Sequence, residues 1–367
     1  MEQEIKEIKE LQYSVEKELP SMLDLFSIQS YTGKEGLMKI FIGNILSKID
    51  GVFFNEDAYG NILITKGEIS AEDYYPCIIA HMDTVHNFVK GYNVNVSTKD
   101  GYTKVWATCN QYQEAPGVIY GKNQSNLAGI GGDDKCGIWI ALKLLEELPT
   151  LKVIFTVEEE SGAIGASNLD TSFFDNVGYL IEGDRKGNSD LITNIWDDIC
   201  SKEFLNTISE VMEEYQYNET FGMLTDIAVI KEDNINLSAV NVSVGYYNPH
   251  SKEEFIIVED LLAAISFIKD CIEVLGCKRY EHTSTYPKKQ KSYGKYYEFD
   301  SFIDEGLDGW DYPFRKTCSC SSKITDLSCD IHNKVLSRYS GEMCSCGEEL
   351  EEREYSYNCP FCAKIYM

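Results

Sequence analysis

Basic side chains are scarce in this 367-residue chain: 33 Lys and Arg stand against 60 Asp and Glu, a formal net charge of −27. So acidic a chain repels phosphate backbones, which argues against nucleic acid as a partner and for a soluble, self-repelling protein. Long apolar runs are missing too. No stretch approaches the roughly 20 apolar residues of a membrane-spanning helix, so no membrane partner is expected. Met1 to Glu18 alternates Glu and Lys with single apolar residues, the pattern of an amphipathic helix and not of a signal peptide. Nor is the composition that of a disordered chain, because 43 % of it is apolar and periodic segments recur. The length suits one large domain with a small one, or two medium ones.

Cysteine, in contrast, is plentiful, with thirteen in all. Cys77, Cys136 and Cys271 sit in apolar contexts, and seven cysteines lie after residue 317. That distribution reads as buried thiols plus a metal site, not as a secreted disulfide framework, and it predicts a cytoplasmic location. In the tail, Cys344-Ser-Cys346-Gly and Cys359-Pro-Phe-Cys362 are two close pairs with Gly and Pro in the knuckles. This is the spacing of a structural zinc ribbon, and a tail too short to fold on its own core is helped by a metal staple. Cys318, Cys320, Cys329 and His332 are candidates for a second structural zinc. With few basic residues between the knuckles, the ribbon suits a protein contact or a structural role. The expected domains are residues 1–277, a Lys-, Tyr- and Ser-rich linker over 278–312, and the cysteine-rich tail 313–367.

The first domain is organised around Gly129-Ile-Gly-Gly-Asp133-Asp134-Lys135-Cys-Gly137, a Gly-rich turn that delivers two adjacent carboxylates in front of an apolar helical segment. Such a turn suits a hard cation or an anion, but the residue order of a phosphate-binding P-loop is absent. Pro76 to Ala80 reads as a buried strand running into His81-Met-Asp83, where i and i+2 share a side, so that Asp83 can support a ligating His81. His86 reads as a loop histidine. Leu151 to Val157 is a second buried strand, ending in Glu158-Glu159-Glu160. Val177 to Ile181 is a third, delivering Glu182 and Asp184. Carboxylates at the C-terminal edge of an α/β sheet lie where ligands bind. Helices are expected over 202–216 and 256–275, and further strands over 226–230 and 237–244. The last of these leads to Gly245-Tyr246-Tyr247-Asn-Pro-His250. The alternation predicts a three-layer α/β domain with a mixed sheet.

Taken together, His81-x-Asp83-Thr-Val, Gly-Asp133-Asp134-Lys-x-Gly137, Glu159-Glu160-x-Gly162 and Gly245-Tyr-Tyr-Asn-x-His250 resemble the co-catalytic dizinc exopeptidases. The resemblance is especially to the branch of peptidase T-like tripeptidases and related deacylases, over roughly residues 10–275. The resemblance implies a zinc-exopeptidase-like fold with two Zn2+, or Co2+ or Mn2+, in the active site. It also implies a hydrolase cleaving amide bonds of small peptides or N-acyl amino acids with a water bridging the metals. Residue by residue, it makes His81 a ligand of one metal, Asp133 the bridge, and Glu160 and His250 ligands of the second. Asp184 completes the first site, with Glu182 as the alternative. Asp83 orients His81, and Glu159 is the general base. One departure stands out: the interval from Asp184 to His250 is too short for the family's usual lid domain, which leaves Arg185, Tyr246 and Tyr247 as candidate pocket residues. A catalytically silent scaffold acting through its zinc ribbon is the rival expectation.

Overall fold

The computed structural model describes residues 2–110 and 125–284, together with the short segments 351–353, 356–358 and 365–366. In chain order the first unit runs α1 (Glu2–Phe26), α2 (Gly36–Leu46), β1 (Val52–Glu56), β2 (Ile62–Lys66), β3 (Tyr75–His81), β4 (Asn93–Lys99), β5 (Tyr102–Asn110) and β6 (Ser125–Ala128). It continues through α3 (Gly132–Glu147), β7 (Leu151–Thr156), β8 (Val177–Arg185), β9 (Asp190–Ile195), β10 (Asp197–Asp198), α4 (Lys202–Tyr215) and β11 (Asn218–Phe221). Last come α5 (Asp226–Glu232), β12 (Ala239–Ser243), β13 (Tyr246–Tyr247), β14 (Phe255–Ile257) and α6 (Val258–Leu275).

The main sheet has the order β1-β2-β7-β3-β8-β12-β9-β10, with β11 added alongside β9. Strands β7, β3, β8 and β12 are mutually parallel, while β1, β2 and β9 introduce antiparallel pairs. The central strands are buried along nearly their whole length because both faces are covered. Alternate side chains enter separate cores: Ile78, Ala80, Val153, Phe155, Tyr179 and Ile181 pack with residues of α1, α2, α3, α4 and α6. Cys77, Ile79, Ile154 and Leu180 pack with Ile227, Ala228 and Ile230 of α5 on the opposite side. That two-residue alternation between helical layers makes the architecture three-layered. A second sheet, β13-β14-β5-β4 with β6 beside β5, flanks it.

Helix α3 lies close against β8 because two glycines meet at the crossing. A Cβ on Gly137 would stand 2.6 Å from the Gly183 carbonyl oxygen and 2.5 Å from both Asp134 carboxylate oxygens. The helix is thereby drawn onto the sheet with its first turn facing the strand ends.

Three details depart from the sequence reading. Residues 226–230, expected as a strand, are helical. Thr225 is extended, Asp226 opens the first turn and Lys231 lies in the last, which suits the helix dipole. The short run Ile-Ala-Val-Ile is apolar all round because nearly all of α5 is buried, and in that case periodicity does not separate helix from strand. Asp190–Ile195, to which the sequence assigned no element, is β9. The chain after residue 277 continues along the domain: Tyr280 is buried, its N–H donates to Gly178, and its carbonyl accepts from Ser238. The first unit ends at Pro287.

The second unit, Lys288–Met367, contributes a small antiparallel sheet of β15 (Glu351–Arg353), β16 (Ser356–Asn358) and β17 (Ile365–Tyr366). Cys344, Cys346, Cys359 and Cys362, and likewise Cys318, Cys320, Cys329 and His332, lie outside the described residues. The six cysteines of the described first unit are free thiols. Among the described residues no helix is long and apolar enough to cross a membrane.

Candidate metal centre

Strand β3 ends at His81, paired with Thr156 at the end of β7, so both strands deliver their next residues to the same sheet edge. His81 is 1 % exposed. Its Nδ1 lies 2.9 Å from the backbone carbonyl of Asp83, and 3.5 Å from that residue's carboxylate. The opposite ring nitrogen, Nε2, is 3.0 Å from Asp133 Oδ1, 3.7 Å from Asp184 Oδ1 and 4.0 Å from Glu159 Oε2. His250 Nε2 completes the group, 3.1 Å from Asp133 Oδ2 and 3.2 Å from Glu160 Oε2. Asp133 therefore stands between two imidazoles, one oxygen toward each.

Its neighbour Asp134 is turned inward. Asp134 Oδ2 accepts the His81 backbone N–H at 3.2 Å, and Oδ1 accepts that of Gly137 at 2.9 Å. The peptide joining the two aspartates is cis. Lys135 turns to the backbone: its Nζ donates to the carbonyl oxygens of Ile130 (2.8 Å) and Phe26 (3.2 Å), tying the turn to the end of α1. Burial pushes its pKa down to about 8, although Glu254 opposes this.

The two acids of strand β8 have different partners. Glu182 is spent on the start of α5, accepting from Thr225 Oγ1 at 2.6 Å and the Ile227 N–H at 3.4 Å. Asp184 faces His81 and accepts from the Tyr246 hydroxyl at 3.1 Å. The Asn241 side chain clamps the Asp184 backbone on both sides at 2.9 Å. Asp83 does more than sit behind an imidazole. Its carboxylate accepts the Glu159 N–H (2.9 Å), the Glu160 N–H (3.2 Å) and the Thr32 hydroxyl (2.8 Å). It thereby holds the two glutamates that follow β7. Glu158, the third acid of that run, takes a left-handed backbone and accepts from the Tyr59 hydroxyl at 2.8 Å.

With this geometry in place, resemblance to other proteins can be stated. No family model matches the chain. Part of it is 30 % identical over 184 residues to the protein YqjE of Bacillus subtilis (strain 168). That match covers 46 % of this chain and 43 % of the relative, so it spans less than half of the relative's length. Among solved structures, the aminopeptidase PepT of Bacillus cereus ATCC 10987 is similar with a TM-score of 0.55 at 16 % identity, over 71 % of this chain and 98 % of that one. A tripeptidase from Staphylococcus aureus subsp. aureus Mu50 gives 0.54 at 16 % identity, over 70 % of this chain and 97 % of that one. The fold is that of these peptidases.

The donor set fits divalent cations. Ligand atoms of His81, Asp133 and Glu160 lie within 4.8 Å of one another, as do those of His81, Asp134 and Asp184. In the second group the Asp134 oxygens are already held by backbone amides. Glu160 Oε1 is buried without a hydrogen-bond partner, the kind of orphan a cation satisfies. Burial, with Asp184, Asp226 and Glu160 nearby, holds Glu159 well above the usual carboxylate range despite His81. Burial and the Asp133 charge push Asp184 up to about 7. Burial opposes charge on His81, yet Asp133, Asp184 and Asp83 outweigh it and hold the ring protonated well above its ordinary range. Hydrogen bonds to Asp133 and Glu160 push His250 up to about 11. Imidazole–carboxylate sites of this kind ordinarily take their balancing positive charge from metal.

Several residues that matter here carried no sequence signal. Thr32, Asn241, Glu254 and Asp226 reach the site from positions distant in sequence. Asp226 is fully buried, accepts from the Thr156 hydroxyl, and leaves Oδ1 without a partner. Of the candidate pocket residues, Tyr246 touches the site. Arg185 pairs with Asp190 at 2.9 Å, and the Tyr247 hydroxyl donates to Asp260 at 2.5 Å. His86 binds Glu254 at 2.6 Å.

Proposed function

We propose that the domain is a two-metal hydrolase cleaving amide bonds in small peptides or N-acyl amino acids. The observation that carries this reading is Asp133, placed between His81 and His250 with Glu159 close to the same ring nitrogen. His81, Asp133 and Asp184 would hold one cation, and Asp133, Glu160 and His250 the other; Zn2+, Co2+ and Mn2+ all suit such donors. When bound, the pair supplies an acidified water and polarises the scissile carbonyl.

The remaining work falls to the chain itself. Glu159 belongs to neither ligand set, and its Oε2 takes the proton from the attacking water and returns it to the leaving amine. Its raised pKa suits both halves of that task. Asp83 fixes Glu159 and Glu160 by their amides, so that base and ligand keep one relative position. Tyr246 donates to Asp184 and holds that carboxylate toward His81. We read the family's lid as absent. In support, the elements β9 to β13 with α4 and α5, which fill the interval between Asp184 and His250, belong to the two sheets and their covering helices. For the tail, we read Cys344, Cys346, Cys359 and Cys362 as ligands of one structural zinc with a protein contact as its use. In the chain, the β15–β16 hairpin lies between the two pairs.

Replacing Glu159 by Gln tests the central assignment. Elemental analysis should find the metal content unchanged, while turnover of di- and tripeptides and N-acetyl amino acids falls about 10²–10⁴-fold. Wild-type turnover in E159Q overturns the base assignment, and a folded wild-type chain that takes up no metal in the first unit overturns the hydrolase reading. The same analysis on C359S/C362S should find one zinc fewer; an unchanged zinc content rejects the ribbon.

A further inference from the structure

We infer that Glu254 is a positioning residue for the metal centre, setting the direction of the Asp133 carboxylate, with His86 as its partner. This rests on the two-metal reading above and goes beyond the ligands it names. Glu254 is 1 % exposed and carries an acceptor-only carboxylate. Its Oε1 accepts the Asp133 backbone N–H at 3.1 Å, and its Oε2 accepts the Gly131 N–H at 2.8 Å. The same Oε2 lies 2.6 Å from His86 Nε2.

These contacts join three of the five ligand-bearing segments. His86 belongs to the loop that follows His81, the two amides to the turn that presents Asp133, and Glu254 itself to the segment that begins at His250. The space around them is filled. A Cβ on Gly132 would stand 2.7 Å from Tyr246 Cβ and 3.4 Å from Glu254 Oε1, and a side chain on Gly129 would overlap the His86 ring. The turn has one place to sit, and Glu254 is the group that receives its amides. A ligating carboxylate whose own backbone is held this way meets its cations in one geometry, which is what residues behind a metal ligand ordinarily provide.

The test is titration of the metal-depleted full chain with Co2+, followed by the visible absorption of the bound ion. In E254Q the amide offers one oxygen where two amides and an imidazole need acceptors. The expected result is Co2+ affinity weaker by about 10–100-fold, with a changed band shape and intensity, in a chain that keeps its circular dichroism. If E254Q does not fold, E254D carries the test: its shorter side chain reaches one of the two amides, and the same spectral change with a smaller loss is expected. Wild-type affinity and an unchanged spectrum in a folded variant overturn the assignment alone. A folded wild-type chain that binds no Co2+ overturns the metal reading and this assignment with it.

Discussion

Replacing Asp83 by Asn changes little in shape and much in hydrogen bonding. The carboxylate receives three donors: Glu159 N–H on Oδ1, and Glu160 N–H with the Thr32 hydroxyl on Oδ2. An amide side chain has one oxygen. Whichever way it is turned, one of the two backbone N–H groups faces an NH2 in a site that is 0 % exposed. An orphaned buried donor costs about 1–3 kcal/mol. The two surviving bonds lose their charge assistance, about 0.5–1.5 kcal/mol each. The expected destabilisation is therefore about 2–6 kcal/mol, large against the roughly 5–15 kcal/mol of an ordinary domain. Urea unfolding in the presence of a chelator measures it without interference from metal. The pH dependence gives a second check. Burial works against the charged form of Asp83, but the nearby His81 ring and the bonds from Thr32 and the Glu159 amide outweigh it and hold its pKa below the usual value. A group depressed in the folded state stabilises above its unfolded pKa and loses that contribution as pH falls, so the gap between wild type and D83N should close below about pH 4. A difference under about 0.5 kcal/mol at neutral pH, within the range of ordinary surface changes, refutes the reasoning.

Two further outcomes follow from the same site. In the chelated protein, Asp184 is raised from 3.8 to about 7 and His250 from 6.5 to about 11. Both then bind protons more tightly folded than unfolded, so stability should fall as pH rises through each window, and added Zn2+ should help more at high pH than at low. Urea midpoints at about pH 5 and pH 8 decide it; a chelated midpoint that rises with pH sinks the idea. At the helix–strand crossing, G137A places a Cβ against a backbone carbonyl and a fixed carboxylate. It should cost at least about 1–3 kcal/mol by urea unfolding. G183A, whose Cβ would meet its nearest atoms at 3.3 Å and 3.4 Å, should cost less; the reverse order would show that α3 can shift.

What was legible in the sequence and what was not divide along a physical line. His81, Asp133, Glu159, Glu160 and Asp184 were readable because each follows a buried strand or opens a helix, and a sheet edge collects whatever its strands deliver. The choice between Asp184 and Glu182 was not readable from β8 itself. It depends on Thr225 and Ile227, which take Glu182, and on Tyr246, which takes Asp184. The helix at 226–232 was misread for a related reason: its residues are buried on nearly every side, so no polar stripe remained to show a helical period. Glu254 and Thr32 lie beyond local pattern altogether. An acid after His250 and a threonine before α2 become informative only when the fold sets one against the Asp133 turn and the other against Asp83. Contacts between residues far apart in the chain leave no periodic trace, yet here they hold the backbone that carries the candidate ligand carboxylates. The candidate ligands can thus be picked out one motif at a time, whereas their aim belongs to the packed domain. A variant that keeps His81, Asp133, Glu160, Asp184 and His250 while disturbing Glu254 or Asp83 should therefore lose metal geometry with every proposed ligand still in place.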